Sequence, residues 1–349
     1  MNVSVLIATA NRADQLADTL ASLSGLRTVG ATELIVVDNN STDATRDVVA
    51  AAADRFPFPV RYVFEAEQGK YAAMNTGIRA ARGAILASTD DDARFEIDWL
   101  ERAVDGLERY ECDFVGGRVL PLWSGPKPDW LSDRNSLYTK VIALLDHGDE
   151  AMEFGRGRIS WPLGVNVAYR RSVFDRIGLF DNRLGRKLGT LRNQSQREWH
   201  LRARAAGVRG FYLPDMVVHH VVTVDRLDKQ YFRRWQYWHG ISRALLYAQA
   251  GYDIEEPELE NPPHAGEREI GGVPVHLLKK AAVSARSYAW RTLRGDRAIA
   301  LEHELWLCFF AGVARQRWKD RAPIPNAADR QPSARSVCAG STAAARRAG

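Results

Sequence analysis

The sequence contains few cysteines, and none of them forms a recognisable metal or disulfide motif. Three occur in 349 residues, at Cys112, Cys308 and Cys338, without any CxxC or Cys–His spacing. An odd number of widely separated thiols supports neither a disulfide framework nor a zinc site. Because reduced thiols are the default in a cytoplasm, we expect a cytoplasmic protein.

The sequence also lacks a long apolar run and a strong net charge. The longest apolar run near the C-terminus, residues 305–314, is about half of a bilayer span. The N-terminus leads directly into a strand-like run that is too short for a signal peptide. The net charge is +5, which is too small to indicate nucleic-acid binding. We therefore expect neither a transmembrane helix nor a nucleic-acid partner.

Short apolar runs and amphipathic segments alternate over the first hundred residues. The spacing of Leu16, Leu20 and Leu23 is typical of one helix face. Successive strand-like and helical segments of this kind predict an α/β protein with a mostly parallel central sheet flanked by helices. The strand-like runs are residues 3–8, 33–37, 60–64 and 85–88.

Polar clusters follow three of these strand-like runs. They are residues 9–12, 38–41 and 90–92, and the last is three consecutive aspartates. Ligands of parallel sheets bind at the carboxyl ends of the strands, so these clusters should meet at one rim. Three carboxylates repel one another unless a cation joins them, and oxygen ligands suit Mg²⁺ or Mn²⁺. The sequence thus predicts a divalent metal that holds a phosphate at this rim.

The later part of the chain is less regular. Residues 163–169 and 213–222 are strand-like, residues 194–206 and 231–247 are helical, and residues 276–318 are expected to form two helices. Residues 322–349 carry almost no large apolar side chain, which predicts disorder. We expect an α/β domain at residues 1–225, a basic and aromatic helical extension at 226–321, and a disordered tail at 322–349.

Six segments, in this order along the chain, resemble the family 2 inverting glycosyltransferases with the GT-A fold. The resemblance covers residues 3–225. The segments are VLIATANR (5–12), IVVDNNSTD (35–43), QGKYAAMNTGI (68–78), DDD (90–92), GVNVAYRR (164–171) and GLFD (178–181).

The resemblance implies transfer of a sugar from a nucleoside diphosphate sugar to a hydroxyl acceptor, with Mn²⁺ or Mg²⁺ as the cofactor. It implies that Asp38 binds the base, that Asp90 meets the ribose or the metal, and that Asp92 ligates the metal. His219 or His220 is a candidate third ligand. Further donor-binding candidates are Thr9, Asn11, Arg12, Asn40, Lys70, Asn75 and Asp91, and candidates for contact with the acceptor or donor sugar are Asn166, Asp181 and Gln196.

The segment that should carry the catalytic base departs from the family pattern. An acidic pair commonly precedes the helix that ends in Arg-x-x-x-Ala-Gly, whereas Ser195 and Gln196 stand there in this chain. An amide cannot act as a general base. Glu198 is the nearest carboxylate and is a candidate base. Alternatives are Asp181 or Glu153, a more acidic acceptor, a protein that binds donor sugars without transferring them, and, more weakly, a nucleotidyltransferase.

The C-terminal region is basic and aromatic. Residues 276–321 contain ten Lys or Arg and four Asp or Glu. Two interpretations follow: the helices lie on an anionic membrane surface, or the aromatic side chains cover the open edge of the sheet. A peripheral position on the inner face of the membrane would suit a lipid-linked acceptor, such as an intermediate of a surface polysaccharide.

Overall fold

The computed structural model describes residues 2–132, 135–155, 161–255 and 266–320. The predicted tail at 322–349 lies outside the described residues. The N-terminal part alternates strands and helices as predicted. Its elements are β1 (Val3–Thr9), α1 (Ala13–Ser24), β2 (Thr32–Asp38), α2 (Thr45–Ala53), β3 (Val60–Phe64), α3 (Lys70–Ala80) and β4 (Ile85–Asp90).

The middle of the chain adds short elements and two long strands. They are β5 (Ala93–Phe95), α4 (Trp99–Arg109), β6 (Phe114–Trp123), α5 (Ser136–Thr139), β7 (Met152–Glu153), β8 (Val167–Arg170), α6 (Ser172–Ile177), α7 (Ser195–Ala205) and β9 (Gly210–Val222). A 3₁₀ helix, Asn182–Leu184, lies between α6 and α7. The two predicted strands and the predicted helix of this region correspond to β8, β9 and α7.

The central sheet has the strand order β3-β2-β1-β4-β8-β6-β9-β5, and β7 pairs with β9. Strands β1 to β4 are parallel to their neighbours among themselves, as predicted. Strand β8, however, runs antiparallel to both β4 and β6, so the sheet as a whole is mixed. A parallel neighbour would need a helical crossover, and the only helix in the described part of the β6–β8 connection is α5, which has four residues.

Both faces of the sheet are covered. Leu6 and Ile7 are adjacent on β1 and point to opposite faces. Ile7 packs in the layer that contains Leu16 of α1 and Trp99 of α4. Leu6 packs in the opposite layer, which contains Met74 of α3. This double burial explains why β1 and β2 are nearly continuous apolar runs in the sequence.

The C-terminal region is helical, with a small hairpin. It comprises a 3₁₀ helix (Val224–Leu227), α8 (Lys229–Ala250), β10 (Glu269–Ile270), β11 (Val273–Pro274), α9 (Val275–Leu293) and α10 (Arg297–Asp320). The two helices predicted over 276–318 are α9 and α10. None of the described helices is long and apolar enough to cross a membrane.

Helices α8 and α10 pack closely against each other, and they also pack on the α/β domain. A Cβ atom added at Gly240 would lie 2.0 Å from the Phe309 carbonyl oxygen, so the backbones are in close contact there. Phe232 and Trp235 of α8 are buried in one cluster with Tyr138 of α5. These aromatic side chains of α8 therefore pack against other parts of the protein.

Candidate active site

The ends of three neighbouring strands form the predicted rim. In the parallel register Thr9 of β1 lies beside Asp38 of β2, and Ala8 of β1 lies beside Asp90 of β4. The polar residues that follow β1, β2 and β4 therefore share one edge of the sheet. Asp90, Asp91 and Asp92 face a cavity of about 540 Å³ at this edge, a volume within the range of small-molecule sites.

Asp91 is a buried anchor of the rim. Its carboxylate accepts hydrogen bonds from the Thr9 hydroxyl at 2.7 Å and from Arg12 Nη1 at 2.5 Å. Its carbonyl oxygen accepts one from the Thr19 hydroxyl of α1. Burial raises the pKa of Asp91 to about 6, although the positive charge of Arg12 lowers it. Asp91 thus joins the loops after β1 and β4, and three predicted donor-site residues contact one another.

Asp92 is surrounded by cationic and imidazole groups. Its Oδ2 accepts hydrogen bonds from Arg12 Nη2 at 2.8 Å and Arg226 Nη2 at 3.2 Å. Its Oδ1 lies 3.4 Å from His220 Nε2 and accepts no hydrogen bond from the described residues. Burial raises the pKa of Asp92, but the charges of His220, Arg12 and Arg226 outweigh this and lower it below the usual range. Asp92 is therefore an ionised carboxylate, and one of its oxygens accepts no hydrogen bond from the described residues.

Of the two histidines proposed as a third metal ligand, only His220 lies at Asp92. Neighbouring strand residues point to opposite faces, and His219 instead bonds to Glu96 at 3.0 Å. Burial lowers the pKa of His220, which favours the neutral ring that a metal requires. His220, and not His219, is therefore the histidine that remains a candidate ligand beside Asp92. Within the described ranges no three His, Cys, Asp or Glu side chains are already gathered as a metal cluster.

Lys70 begins α3 and binds the third carboxylate of the rim. Its ammonium donates a hydrogen bond to Asp90. The helix begins here because Gly69 has a φ of 145°, and Gly69 N–H donates to the Asn39 side chain at 2.7 Å. A Cβ atom at Gly69 would lie 2.3 Å from Asn182 Oδ1. Asn39, which was not predicted as a site residue, therefore helps to position the start of α3.

The loops after β1 and β2 are bonded to each other. Asn11 Oδ1 accepts a hydrogen bond from Thr42 N–H at 2.7 Å. Asn11 and Asn40 both have positive φ angles, 53° and 60°, a conformation that asparagine tolerates better than most residues. Asp38 accepts hydrogen bonds from Ser41 N–H at 2.9 Å and from the Tyr62 hydroxyl at 2.6 Å. Asp38 thus lies at the rim with both carboxylate oxygens bonded.

Several predicted site residues lie outside the cavity lining: Asn11, Asp38, Asn40 and His219, and also Asn75, Asn166 and Asp181, which bond to other parts of the chain. Asn75 bonds through both amide atoms to the backbone of Phe180. Asn166 is fully buried, accepts a hydrogen bond from the Trp99 indole and donates to two carbonyl oxygens. Asp181 accepts hydrogen bonds from Arg183 and from Gln249. Each of these polar groups is satisfied by the protein itself.

Helix α7 presents Gln196, not Glu198, to the cavity. Gln196 lines the cavity and donates a hydrogen bond to the Tyr169 hydroxyl at 3.3 Å. Glu198 is buried and is not among the lining residues, since two residues along a helix correspond to a rotation of about 200°. Its Oε1 and Oε2 accept hydrogen bonds from Arg202 at 2.6 and 3.1 Å. The placement therefore argues against direct contact of Glu198 with an acceptor.

Comparisons with known proteins agree with this architecture. The family model for glycosyl transferase family 2 matches residues 4–178, half of the chain. Glycosyltransferase AglE of Haloferax volcanii is 27% identical over 311 residues, which cover 87% of this chain and 96% of that protein. The glucosyl-dolichyl phosphate glucuronosyltransferase of the same organism is 27% identical over 272 residues, covering 72% of this chain and 80% of that one.

Solved structures give the same result for the fold. The mannosyltransferase PcManGT from Pyrobaculum calidifontis, solved in complex with GDP-Man and Mn²⁺, superposes with a TM-score of 0.58 at 22% identity. The match covers 91% of this chain and 87% of that one. The mixed sheet flanked by helices is therefore the GT-A fold, as the sequence predicted. On the family match and the fold together, the chain belongs to glycosyl transferase family 2 and is a glycosyltransferase.

Proposed function

We propose that the protein transfers a sugar, with inversion, from a nucleoside diphosphate sugar to an acceptor hydroxyl. The observation that carries this proposal is the carboxylate rim, Asp90 to Asp92, which lies between Lys70 and Arg12 in a cavity large enough for such a donor. The names of the related proteins support it, because they include a glucuronosyltransferase and a mannosyltransferase bound to GDP-Man.

The residues at the rim fit a divalent ion, which we propose to be Mn²⁺ or Mg²⁺. Asp92 Oδ1 has no hydrogen-bond donor among the described residues and lies beside the neutral ring of His220, and Asp90 is adjacent. These side chains would hold the ion, with diphosphate oxygens and water completing its coordination. When bound, such an ion neutralises the charge that develops on the leaving diphosphate.

The chain's own cations have a matching role in this mechanism. Lys70 is hydrogen-bonded to Asp90, and Arg12 is hydrogen-bonded to Asp91. In the proposed complex they turn toward the diphosphate and stabilise the negative charge that grows as the sugar–phosphate bond breaks. The acceptor oxygen attacks the anomeric carbon from the opposite side, the bond from that carbon to the diphosphate oxygen breaks, and the acceptor proton passes to water in the cavity. Glu198 takes no part in this proton transfer, because it does not line the cavity.

A thermal-shift panel of nucleoside diphosphates and their sugars, with and without Mn²⁺, tests the proposal. A ligand present at one hundred times its Kd stabilises the native state by about 2.7 kcal/mol. For a chain of 349 residues this corresponds to a rise of about 4 °C in the melting temperature. We expect one nucleotide to give a metal-dependent shift that Asp92→Asn abolishes. The matched control Asp18→Asn changes an exposed aspartate that pairs with Arg94 and should keep the shift.

The released product then distinguishes the reactions. Nucleoside diphosphate indicates glycosyl transfer, pyrophosphate indicates nucleotidyl transfer, and binding without turnover indicates a donor-binding protein. Absence of a shift with any nucleotide, with or without metal, would contradict the proposed donor site.

We also propose that α9 contacts an anionic membrane surface on the cytoplasmic side. Only Leu277 and Ser284 of its 19 residues are buried, and it contains four Lys or Arg and no acidic residue. Val283, Trp290 and Leu293 are exposed and recur at helical spacing. An exposed basic face with tryptophan suits the interface of anionic lipids.

Sedimentation with vesicles tests this surface. The wild-type protein should pellet with anionic vesicles at low salt but not with neutral ones. The double change Trp290→Ser and Leu293→Ser should abolish this, whereas Ala282→Ser on the same helix should not. Wild-type protein that stays in the supernatant with anionic vesicles would refute the proposal.

A further inference from the structure

The cavity contains a second group of cations, apart from those at the aspartates. Lys140, just after α5, and Arg197 of α7 both line it. Arg243 of α8 is buried nearby and donates hydrogen bonds to the carbonyl oxygens of Ile254 and Glu255. Two positive charges thus lie in one region of the cavity wall, and Arg243 is close enough to Arg197 for their charges to interact.

Electrostatic interactions separate this group from the aspartate rim. Burial lowers the pKa of Arg12, but the charges of Asp91, Asp92 and Asp90 outweigh it and raise that pKa above its usual value. Burial, followed by the charges of Arg197 and Arg243, lowers the pKa of Lys140 to about 7. The charges that shift the pKa of Arg12 are therefore carboxylates, whereas the charges that shift the pKa of Lys140 are cations.

Lys140 is poised for an anion. Its side chain is exposed to the open cavity, yet protein surrounds its ammonium group. It forms no hydrogen bond or ion pair with any residue in the described ranges. Like charges held together are unfavourable unless an opposite charge joins them. No described carboxylate is paired with Lys140, so an anion that enters the cavity would supply the opposite charge.

The neighbouring wall offers further contacts to a ligand. Gln194 is 2% exposed and lines the cavity, and its Oε1 accepts no hydrogen bond from the described residues. This oxygen can accept a bond from a ligand hydroxyl. Val141, Leu144 and Trp235 supply apolar surface to the same cavity. The combination of cations, one open acceptor atom and apolar side chains suits an amphipathic anion that carries hydroxyl groups.

We propose that Lys140 and Arg197 form a second anion-binding subsite, which holds a phosphate or carboxylate group of the acceptor. The subsite rests on the proposed glycosyl transfer and specifies its acceptor class. Because Lys70 and Arg12 already lie at the diphosphate end, the second group of cations is left for the other substrate. An anion held there fixes the acceptor so that its hydroxyl faces the donor sugar.

The test is calorimetric titration of the full-length protein with two anionic probes, hexyl phosphate and glucuronate, and with hexyl glucoside as the neutral probe. The protein is first saturated with Mn²⁺ and the nucleoside diphosphate that binds it, so that the diphosphate end is filled. We expect at least one anion, and not the neutral glycoside, to bind the wild type. Binding of only hexyl phosphate indicates a phosphate-bearing acceptor, and binding of only glucuronate indicates an acidic sugar.

Three variants assign the binding to Lys140. Lys140→Gln should weaken the anion by about tenfold or more, as expected for the loss of one charged hydrogen bond. Lys140→Arg keeps the charge and should stay within about threefold of the wild type. Lys187→Gln, which removes a different cavity lysine, should also stay within about threefold. Nucleotide affinity should be unchanged in Lys140→Gln and Lys140→Arg. An unchanged affinity would also show that both variants are folded.

A pH series adds a readout that a structural role would not change. Glucuronate affinity should fall between pH 6 and 8.5 as Lys140 loses its proton. The groups that face Lys140 are Arg197, Arg243 and the His239 ring of α8, and none of them is a negative charge that would stabilise its protonated form. In Lys140→Arg the affinity should not depend on pH in this range.

Three results would overturn the subsite: no anion binds the wild type, Lys140→Gln binds as well as the wild type, or Lys187→Gln loses as much affinity. Loss of affinity in Lys140→Arg as large as in Lys140→Gln would also overturn it. If no nucleotide binds, the proposed donor site has failed, and the same titration on the nucleotide-free protein still decides the subsite.

Discussion

Replacement of Glu198 by glutamine should destabilise the protein without abolishing turnover. Glu198 accepts two hydrogen bonds from Arg202 and lies outside the cavity. Arg202 in turn donates to the carbonyl oxygens of Ile177 and Leu179, so the pair joins α7 to the segment after α6. A residue with these contacts holds the helix in place, whereas a catalytic base would have to reach the acceptor.

The magnitude follows from the burial of the pair. Removing one partner of a fully buried ion pair costs about 3–5 kcal/mol. The Arg202 side chain is 25% exposed, so water solvates part of the charge that remains. Glutamine also keeps one oxygen that can accept a bond. We therefore expect a loss of about 2 kcal/mol in the free energy of unfolding, with kcat within about threefold of the wild type.

Urea unfolding and donor turnover, measured on the same preparations, decide the matter. Glu153→Gln is the matched control, because Glu153 pairs with the half-exposed Arg209 at 3.0 Å and should lose less than about 1 kcal/mol. A double-mutant cycle with Arg202→Gln isolates the coupling of the pair. If Glu198→Gln unfolds at the wild-type urea concentration but releases no nucleoside diphosphate, Glu198 is the base and the structural reasoning is wrong.

Two further substitutions test the framework around the site. Asn166→Ala should lower the free energy of unfolding by about 3 kcal/mol, because it leaves the Trp99 indole N–H and two carbonyl oxygens without their buried partner; unchanged stability in urea would contradict this role. Gly240→Ala should cost about 1–3 kcal/mol because the new methyl group would overlap the Phe309 backbone. Gly25→Ala meets only ordinary contacts and should be nearly neutral, and equal losses at the two glycines would refute the close packing of α8 on α10.

The sequence predicted those parts of the site that depend on strand order. Apolar runs identify β1, β2 and β4, and parallel pairing requires that Thr9, Asp38 and Asp90 meet at one edge. Successive side chains of a strand point to opposite faces of the sheet, so the sequence could also predict that only one of His219 and His220 points to the rim. The identity of that histidine depends on the register of β9 against β5 and β6, which no local pattern contains.

Partners that are distant in sequence could not be predicted. Asn75 and Asn166 are polar residues within matching segments, and their bonds to Phe180 and Trp99 form only when separate parts of the chain fold together. Asn39 shows the opposite case, because its neighbours Asp38 and Asn40 were selected and it was not. Its amide bonds Gly69 N–H and two carbonyl oxygens of the intervening loop. A buried asparagine can bond several backbone groups at once, and this capacity has no sequence signature.

Helix α7 places the residue that departs from the family pattern and a cationic residue side by side in the cavity wall. Position 196 faces the cavity and carries an amide, and position 197, which also lines it, adds an arginine. Burial lowers the pKa of Arg197 to about 10, so this residue remains charged at neutral pH. A carboxylate at position 196 would lie beside that cation and would partly neutralise it, whereas glutamine is uncharged and adds no negative charge there. The amide at position 196 thus adds no negative charge beside Arg197, which agrees with the anionic acceptor that we propose.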